Sequence, residues 1–369
     1  MYKILISGYY GFNNIGDESV LRTVVRNLRA RLSDIQITVL SQQPDVTSVQ
    51  HGVNAAYRMS PPAIWREIRR CDMLISGGGS LLQDATSSKS ILYYLMLIKL
   101  ALMLRKKVFI YSQGIGPIND PKNRERTAKV LQKVHGIVVR DEGSANLLKE
   151  IGLPEEKIIV TADPVLRIER PELRKGEMIL MQERCARVDD RPMIGWVVKE
   201  RDENSAFTAE VQKCIAWLTE AYNARCVLIP FHYKEDVNVA YTLTERAKSD
   251  DVAYLHHKYL SDETLSIIGN MDFLVGVRLH SLIYAAVMDV PMLGISYDPK
   301  VEAFLHSVGQ EPVSSTQEFT LEKFQKAFTA AWENRDQLRE TVARHRDELQ
   351  EKLNTNEEMI ARIIEQSKK

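Results

Sequence analysis

The sequence predicts an α/β fold made of two Rossmann-like domains. Short apolar segments alternate with helical patterns over most of the chain, as in a parallel sheet covered by helices. The 369 residues exceed the length at which a single hydrophobic core stops growing. A charged, proline-marked segment over 167–191 interrupts the alternation, which then resumes. We therefore expect a first domain over residues 1–168 and a second over 169–369, facing a cleft, with C-terminal helices packing back across both.

The first domain contains six apolar segments of strand length, and helical patterns such as Glu18–Arg31 and Arg124–Lys133 lie between them. The predicted strands are Lys3–Ser7, Gln36–Leu40, Met73–Ser76, Val108–Ser112, Gly136–Val139 and Ile158–Thr161.

One further segment, Ile91–Leu104, is strongly apolar. It is shorter than the roughly 20 residues that a membrane span needs, and Lys99 interrupts it. We expect a buried helix. An alternative places this helix, with the adjacent Arg105–Lys107, in peripheral contact with a membrane surface.

The second domain repeats the strand and helix alternation. The predicted strands are Met193–Val198, Cys226–Pro230, Val252–Leu255, Phe273–Val275 and Met292–Ser296. The segment Arg335–Glu365 carries apolar residues at helical spacing with mixed charges elsewhere, which predicts the C-terminal helices.

Composition narrows the possible functions. With 49 basic and 49 acidic residues, the chain offers no overall positive field for the phosphates of a nucleic acid. The four cysteines are scattered without the spacing of metal ligands, so we expect reduced core thiols and no metal site. An apolar strand begins at Tyr2, which leaves no room for a secretory signal and predicts a cytoplasmic location.

A cation and an imidazole follow the predicted strand Phe273–Val275. Arg278, Leu279 and His280 lie between that strand and a helical pattern, at the edge of an open sheet where ligands bind. Arg278 could instead pair with a carboxylate, and His280 could pack against its helix. The cluster of Gly276, Arg278, His280 and Ser281 favours a ligand site that holds and protonates a small anion.

The loop after the first strand is rich in glycine and amides. Asn13, Asn14 and Asp17 lie within it, and its glycines do not match the dinucleotide-binding fingerprint. Turn geometry explains the glycines, and Asp17 could be a helix cap or a first-turn acid. Two amides beside a carboxylate also suit a catalytic role for Asp17.

Two more glycine-rich segments follow predicted strands of the first domain. Gly77, Gly78 and Gly79 come after Met73–Ser76, and their amides could approach an anion at a helix N-terminus. Gln113 and Gly114 come after Val108–Ser112 and predict a similar turn. Together they favour a surface that accepts phosphate or sugar.

Other polar side chains also follow strands. Arg140 comes directly after Gly136–Val139, where it could reach an anion or pair with a neighbouring carboxylate. Lys300 offers a second cation in the domain of Arg278. His256 and His257 are adjacent, and we expect their side chains to diverge at the surface rather than to bind a metal.

These residues together resemble the polysaccharide pyruvyl transferase family. The resemblance rests on motifs that occur in the family's order and reach from Lys3 to about Phe304: Gly11–Glu18, Gly77–Gly79, Gln113–Pro117, Val139–Asp141, Ala162–Pro164 and Arg278–His280. Among its members, the chain looks most like the bacterial CsaB-type enzymes that modify cell-wall polymer precursors. The resemblance implies a glycosyltransferase-B-like fold and phosphoenolpyruvate as the pyruvate donor. It also implies donor binding by Arg140, Arg278, Leu279 and His280. The implied acceptor is an N-acetylmannosamine residue of a lipid-linked glycan, which receives pyruvate as a 4,6-ketal that later anchors surface-layer proteins.

The chemistry of this donor fits the residues. Its phosphate and carboxylate need several cations, for which Arg140, Arg278 and Lys300 are candidates. His280 is the candidate acid for protonating C3, because imidazole titrates near neutral pH. A sugar hydroxyl then attacks C2, with Asp17 as the candidate base, phosphate leaves, and a second hydroxyl closes the ring. No step requires a cofactor or a metal.

Two other functions fit the same fold. A nucleotide-sugar glycosyltransferase would use the cations to hold a diphosphate, and it would consume a sugar nucleotide without phosphoenolpyruvate. A carbohydrate-binding protein would show no donor turnover at all.

Overall fold

The computed structural model describes residues 1–12, 14–85, 88–200 and 204–368. Their strands are β1 (Tyr2–Ser7), β2 (Ile35–Ser41), β3 (Asn54–Tyr57), β4 (Met73–Ser76), β5 (Gly79–Leu82), β6 (Lys107–Ile115), β7 (Gly136–Val139), β8 (Ile158–Val160), β9 (Met193–Val197), β10 (Arg225–Leu228), β11 (Val252–Tyr254), β12 (Phe273–Gly276) and β13 (Met292–Gly294).

The helices are α1 (Ile15–Arg31), α2 (Pro44–His51), α3 (Pro61–Arg70), α4 (Ser88–Met103), α5 (Pro121–Leu131), α6 (Glu142–Glu150), α7 (Leu173–Gln182), α8 (Ala206–Ala221), α9 (Tyr233–Ala247), α10 (Ser261–Gly269), α11 (Leu279–Val287), α12 (Pro299–Ser307), α13 (Leu321–Glu333), α14 (Arg335–Lys352) and α15 (Asn354–Lys368).

The chain divides into two compact units. Unit 1 comprises Met1–Ile168 and Leu349–Lys369, and unit 2 comprises Glu169–Glu348. The predicted second domain therefore extends too far, because residues 349–369 pack with unit 1. Buried polar contacts hold α15 there. Asn356 donates to Ser112 Oγ at 2.8 Å, and Glu357 accepts from the Tyr111 hydroxyl and pairs with Arg167 at 3.1 Å.

Unit 1 contains a parallel sheet with the order β3-β2-β1-β4-β6-β7-β8, and β5 pairs with β6. The predicted α/β class is confirmed, with β3 and β5 as strands that the sequence pattern did not indicate. Because the strands are parallel, their carboxyl ends share one edge of the sheet. The first loop, the Gly77–Gly79 turn and Arg140 all follow strand ends at that edge.

Helix α1 begins after Asn14, a residue type that favours the position before a helix. The Asn14 side chain accepts from Gly16 N at 3.0 Å and caps the helix, while Asp17 and Glu18 lie in its first turn. Val20, Val24 and Leu28 recur at helical spacing and are buried in the core. Helix geometry therefore fixes where Asp17 lies relative to β1.

Unit 2 contains a parallel sheet with the order β11-β10-β9-β12-β13. Its core includes Trp196 on β9, Phe273 on β12, and Phe324 and Phe328 on α13. Helix α11 follows β12 after Val277 and Arg278, so His280 lies in the first turn of a helix at the carboxyl edge of the sheet.

Helix α4 is formed by most of the apolar segment Ile91–Leu104. Ile91, Tyr94, Ile98 and Ala101 on one side are buried in the core of unit 1, so the predicted burial is confirmed for that side, whereas Leu92, Met96 and Met103 are exposed. Among the described residues, no helix is both long enough and apolar enough to cross a membrane.

Candidate functional site

Contacts with Glu18 and with Arg58 hold residues 8–12 of the first loop of unit 1. The Glu18 carboxylate accepts from Gly11 N at 2.8 Å and lies 3.2 Å from His51 Nε2. Arg58 donates to Gly8 O at 2.8 Å, and its guanidinium lies 5.0 Å from the centre of the Phe12 ring. Residues 8–12 of the loop are therefore held against the rest of unit 1. Asn13, a predicted site residue, lies outside the described residues, and Asn14 is accounted for as the cap of α1.

Asp17 lies beside the triple-glycine turn. A Cβ atom at Gly79 would be 2.9 Å from Asp17 Oδ1, and Gly79 has a φ of +91°, which side chains rarely adopt. Glycine is required at position 77 for a different reason, because a Cβ there would lie 2.2 Å from the Tyr10 hydroxyl. A Cβ at Gly78 would lie 2.7 Å from Val20. The three glycines thus allow a close approach of α1 and the first loop to the sheet.

The prediction of a helix N-terminus after Gly77–Gly79 is wrong. The positive φ of Gly79 turns the chain into β5, and α4 begins only at Ser88. The prediction that Gln113 and Gly114 form a turn after a strand is also wrong, because β6 continues to Ile115. Residue Ser112 has a φ of +39°, and the register between β6 and β7 shifts there, so the strand is longer than its apolar core suggests.

Arg140 follows β7 as predicted and is buried in an ion pair. Its Nη1 lies 3.0 Å from Asp163 Oδ2, while Nη2 donates to Ser80 Oγ at 3.0 Å. The pair with the neighbouring Asp141 is longer, at 3.4 Å. Burial alone would lower the pKa of Arg140, but the charges of Asp163 and Asp141 outweigh it and raise the pKa. A Cβ at Gly114 would lie 2.8 Å from the guanidinium, so that glycine makes room for it.

Arg278 of unit 2 is also paired. Its Nε lies 2.7 Å from Asp236 Oδ2 and its Nη2 lies 2.5 Å from Asp236 Oδ1, which is a bidentate arrangement. Glu235 Oε2 is 3.2 Å from Nη2 and 3.0 Å from His232 Nδ1. Burial raises the pKa of Glu235, but hydrogen bonds and charge from His232 and Arg278 outweigh it and hold that pKa at about 2. Asp236 also accepts from His232 N, so the turn after β10 positions Arg278.

The neighbours of Arg278 complete this part of unit 2. Leu279 is buried, and the Nε2 atom of His280 is buried as well. The Lys300 ammonium lies 3.2 Å from Asp298 and 5.5 Å from the centre of the Tyr297 ring. Lys199 Nζ lies 3.7 Å from the same ring centre, so two lysines share Tyr297.

The prediction that His256 and His257 diverge is wrong. Both Nδ1 atoms reach the buried carboxylate of Glu183, at 2.9 and 2.7 Å, and both backbone N–H groups donate to it. Tyr259 donates to the same group. Burial raises the pKa of Glu183, but these hydrogen bonds outweigh it and hold the pKa at about 2. Within the described ranges, no group of three His, Cys, Asp or Glu residues could hold a metal ion.

We expect Glu183→Gln to cost about 1–3 kcal/mol of unfolding free energy at neutral pH, because it removes the charge of a buried acceptor that receives several hydrogen bonds. A carboxylate with a lowered pKa stabilises the fold above its ordinary pKa of 4.5, and this contribution is lost as the pH falls towards about 2. The difference between wild type and variant should therefore shrink over that window in denaturant unfolding. The exposed Glu318→Gln serves as control. A difference that stays constant from neutral pH to about pH 2 would contradict this contribution.

The sequence did not indicate the supporting contacts of four residues at these sites. Asp163 and Asp236 pair with the two arginines across 23 and 42 residues of chain. Arg58 and Lys199 follow β3 and β9, so their position just past a strand end was an available signal. Asp163 carried the same signal, since it follows β8, the neighbour of β7.

Known proteins show related sequences and folds. The family model described as polysaccharide pyruvyl transferase matches residues 14–299. The amylovoran biosynthesis protein AmsJ of Erwinia amylovora is 20% identical over 367 residues, covering 85% of this chain and 88% of its own length. The structure of Anabaena HepE in complex with UDP-glucose aligns with a TM-score of 0.66 at 10% identity, over 99% of this chain and 100% of that one. A UDP-GlcNAc 2-epimerase of Neisseria meningitidis aligns with a TM-score of 0.62 at 14% identity, over 96% and 100% of the two chains. The structural likenesses show the glycosyltransferase-B-like fold alone.

Proposed function

This chain belongs to the polysaccharide pyruvyl transferase family, and we propose that it moves pyruvate from phosphoenolpyruvate onto a sugar as a ketal, with release of phosphate. Family membership supports the coarser statement that the protein is a transferase that adds pyruvate to a polysaccharide. The donor, the acceptor and the roles of individual residues are parts of the proposal.

The proposed acceptor is an N-acetylmannosamine residue of a lipid-linked cell-wall glycan precursor, pyruvylated at O4 and O6 in the cytoplasm at the inner face of the membrane. The resemblance to CsaB-type enzymes supports it, and in that setting the product would anchor surface-layer proteins. The name of the relative AmsJ points to amylovoran biosynthesis. A sugar of amylovoran is therefore the acceptor to compare with N-acetylmannosamine in a pyruvyl transfer assay.

One observation carries the proposed donor site. Helices α1, α6 and α12 are capped by the side chains of Asn14, Asp141 and Asp298. The side chain of Arg278, which precedes the first residue of α11, makes no capping hydrogen bond, as is also the case at the starts of α2, α7 and α9. The first N–H groups of a helix, together with its dipole, favour an anion. An uncapped helix start with a fixed arginine and with His280 in its first turn suits the phosphate and the carboxylate of the donor.

The cations take different parts in this proposal. The hydrogen bonds of Arg278 to Asp236 and Glu235 use Nε and Nη2, which leaves the Nη1 donors to meet an anion. Lys300 adds a positive charge from α12, where it pairs with Asp298. Arg140 already balances Asp163, so a donor that contacts it would share its charge with that carboxylate.

His280 then protonates C3 of the donor, C2 becomes electrophilic, and a sugar hydroxyl that gives its proton to Asp17 attacks C2. Phosphate leaves, and the second hydroxyl of the same sugar closes the ketal. Neither a cofactor nor a metal takes part in these steps.

We expect phosphoenolpyruvate to raise the thermal midpoint, because a ligand that binds only the folded state stabilises it by about 2.7 kcal/mol at one hundred times its dissociation constant. Lys300→Ala should reduce this shift, and Arg278→Ala should remove most of it. Each variant is compared with its own midpoint without donor, since Arg278→Ala also leaves Asp236 unpaired. Lys323→Ala, on the exposed side of α13, is the control. Equal shifts in all variants would exclude Arg278 and Lys300 from the donor site.

A nucleotide-sugar glycosyltransferase is the alternative, because HepE shares the fold and was solved with UDP-glucose. Consumption of a UDP-sugar with no phosphate release from phosphoenolpyruvate would favour it. A midpoint shift by UDP-glucose alone would be the first indication. A protein that only binds carbohydrate would turn over neither donor.

A further inference from the structure

The outward side of helix α4 is unusual, because it is largely apolar and yet exposed. Leu92, Met96 and Met103 are 41%, 49% and 68% exposed, and Lys99 lies among them. These positions are spaced by four, three and four residues, so they form one stripe along the helix. The opposite side of α4 is buried in the core of unit 1. Exposed apolar side chains that lie together on one side of a helix often mark an interaction site.

Helix α3 extends the exposed apolar surface. Ile64 and Ile68 of α3 belong to the same core cluster as the buried side of α4, so both helices cover the same side of the sheet. Tyr93 of α4 donates to Arg58 O at 2.7 Å, just before α3 begins, which ties the two helices together. Trp65 on α3 is 47% exposed. We define the basic–apolar face as Trp65, Leu92, Met96, Lys99, Met103 and Arg105.

The charge of this region is strongly asymmetric. Residues 61–133, which include α3, α4 and α5, contain 13 Lys and Arg residues and five Asp and Glu residues, although the whole chain has no net charge. Lys99 and Arg105 are exposed within the basic–apolar face, and Arg69 and Arg70 are exposed on α3. The region is therefore positive, while the remainder of the chain is negative.

We propose that the basic–apolar face docks on the surface of an anionic lipid bilayer. Leucine, methionine and tryptophan side chains can enter the boundary between headgroups and acyl chains, while lysine and arginine reach the lipid phosphates. Basic residues near a membrane are attracted by anionic lipids. A second copy of the chain would bring two positive regions together, and a nucleic acid would leave the apolar stripe without a partner.

This inference rests on the proposed function only in that a lipid-linked acceptor gives docking a purpose. Its test requires neither donor nor acceptor. The full chain is sedimented with vesicles of phosphatidylcholine alone, or with vesicles that also contain phosphatidylglycerol. We expect binding to the anionic vesicles at low salt and release at high salt, because salt screens the charges.

Two variants test the two parts of the face. Leu92→Ser/Met96→Ser/Met103→Ser removes the apolar stripe, and Lys99→Glu/Arg105→Glu reverses its charge. Each should weaken binding to anionic vesicles by at least about tenfold. The matched controls are Met178→Ser/Met181→Ser, two exposed methionines of α7, and Lys323→Glu/Lys326→Glu on α13. Both controls should bind like wild type, and thermal midpoints show which variants fold.

Three results would overturn the proposal: no sedimentation of wild type with anionic vesicles at low salt, equal binding to both vesicle types, or wild-type binding by both face variants. Retention on RNA that the face variants lose, without any vesicle binding, would assign the face to nucleic acid instead. Pyruvyl transfer to a soluble acceptor reports separately on the proposed function. Pyruvyl transfer without vesicle binding would refute only the proposal that the basic–apolar face docks on a membrane. Vesicle binding without pyruvyl transfer would refute only the proposed reaction.

Discussion

His280→Ala is expected to lower the rate of pyruvyl transfer by about 10²–10⁴-fold, the range that general acid catalysis contributes, with a much smaller loss of donor binding. The reason is that Arg278, which Asp236 and Glu235 hold in place, remains to bind the donor anion. Single-turnover phosphate release at saturating phosphoenolpyruvate measures the chemical step. The donor-induced shift of the thermal midpoint measures binding.

The matched control for this variant is His306→Ala, which removes an exposed imidazole paired with Glu311. It should retain full activity. Asp17→Asn should resemble His280→Ala if Asp17 is the base. Near-full activity of His280→Ala with saturating donor would show that the proton comes from another group.

The second large effect concerns stability. We expect Arg140→Ala and Asp163→Ala each to lower the unfolding free energy by about 3–5 kcal/mol, because each leaves a buried charge of unit 1 without its main partner of opposite sign. The double variant Arg140→Met/Asp163→Leu should lose much less unfolding free energy than the two single variants lose together. Denaturant unfolding of the four proteins gives the coupling energy.

The surface pair Arg124 and Glu150 is the control, since both side chains are more than a third exposed. Removing it should cost about 0–1 kcal/mol. A cost below about 1 kcal/mol for Arg140→Ala would contradict the buried pair. If that variant also lost donor protection, Arg140 would be a donor-binding cation and not a structural one.

The pattern of apolar and polar residues was sufficient to predict most strands of the two sheets. Strands β4 and β7 begin and end where the apolar segments predicted, because buried parallel strands are continuous apolar runs bounded by polar residues. The placement of Arg140 and Arg278 just past strand ends followed from the same pattern. Strand β3 was missed because Asn54 and two alanines carry little strand propensity.

Contacts between side chains that lie far apart in the chain could not be predicted from the sequence. Asp163 and Asp236 lie far along the chain from their arginines, and only the strand order brings them together. The convergence of His256 and His257 on Glu183 required the position of α7 as well. The glycines of Gly77–Gly79 looked like an anion site, whereas contacts of Tyr10, Val20 and Asp17 explain them. Local composition does not distinguish a turn that meets a ligand from one that meets its own side chains.

The proposed formation of a ketal from phosphoenolpyruvate can be tested by the mass and the linkage of the product. With an N-acetylmannosamine-terminated acceptor, we expect a product heavier by pyruvate less one water, with both O4 and O6 blocked, because one sugar presents two hydroxyls to the same carbon. A 6-deoxy acceptor should give no stable product. An enolpyruvyl ether on a single oxygen, or a 6-deoxy sugar that reacts as well as the parent, would contradict the ketal mechanism.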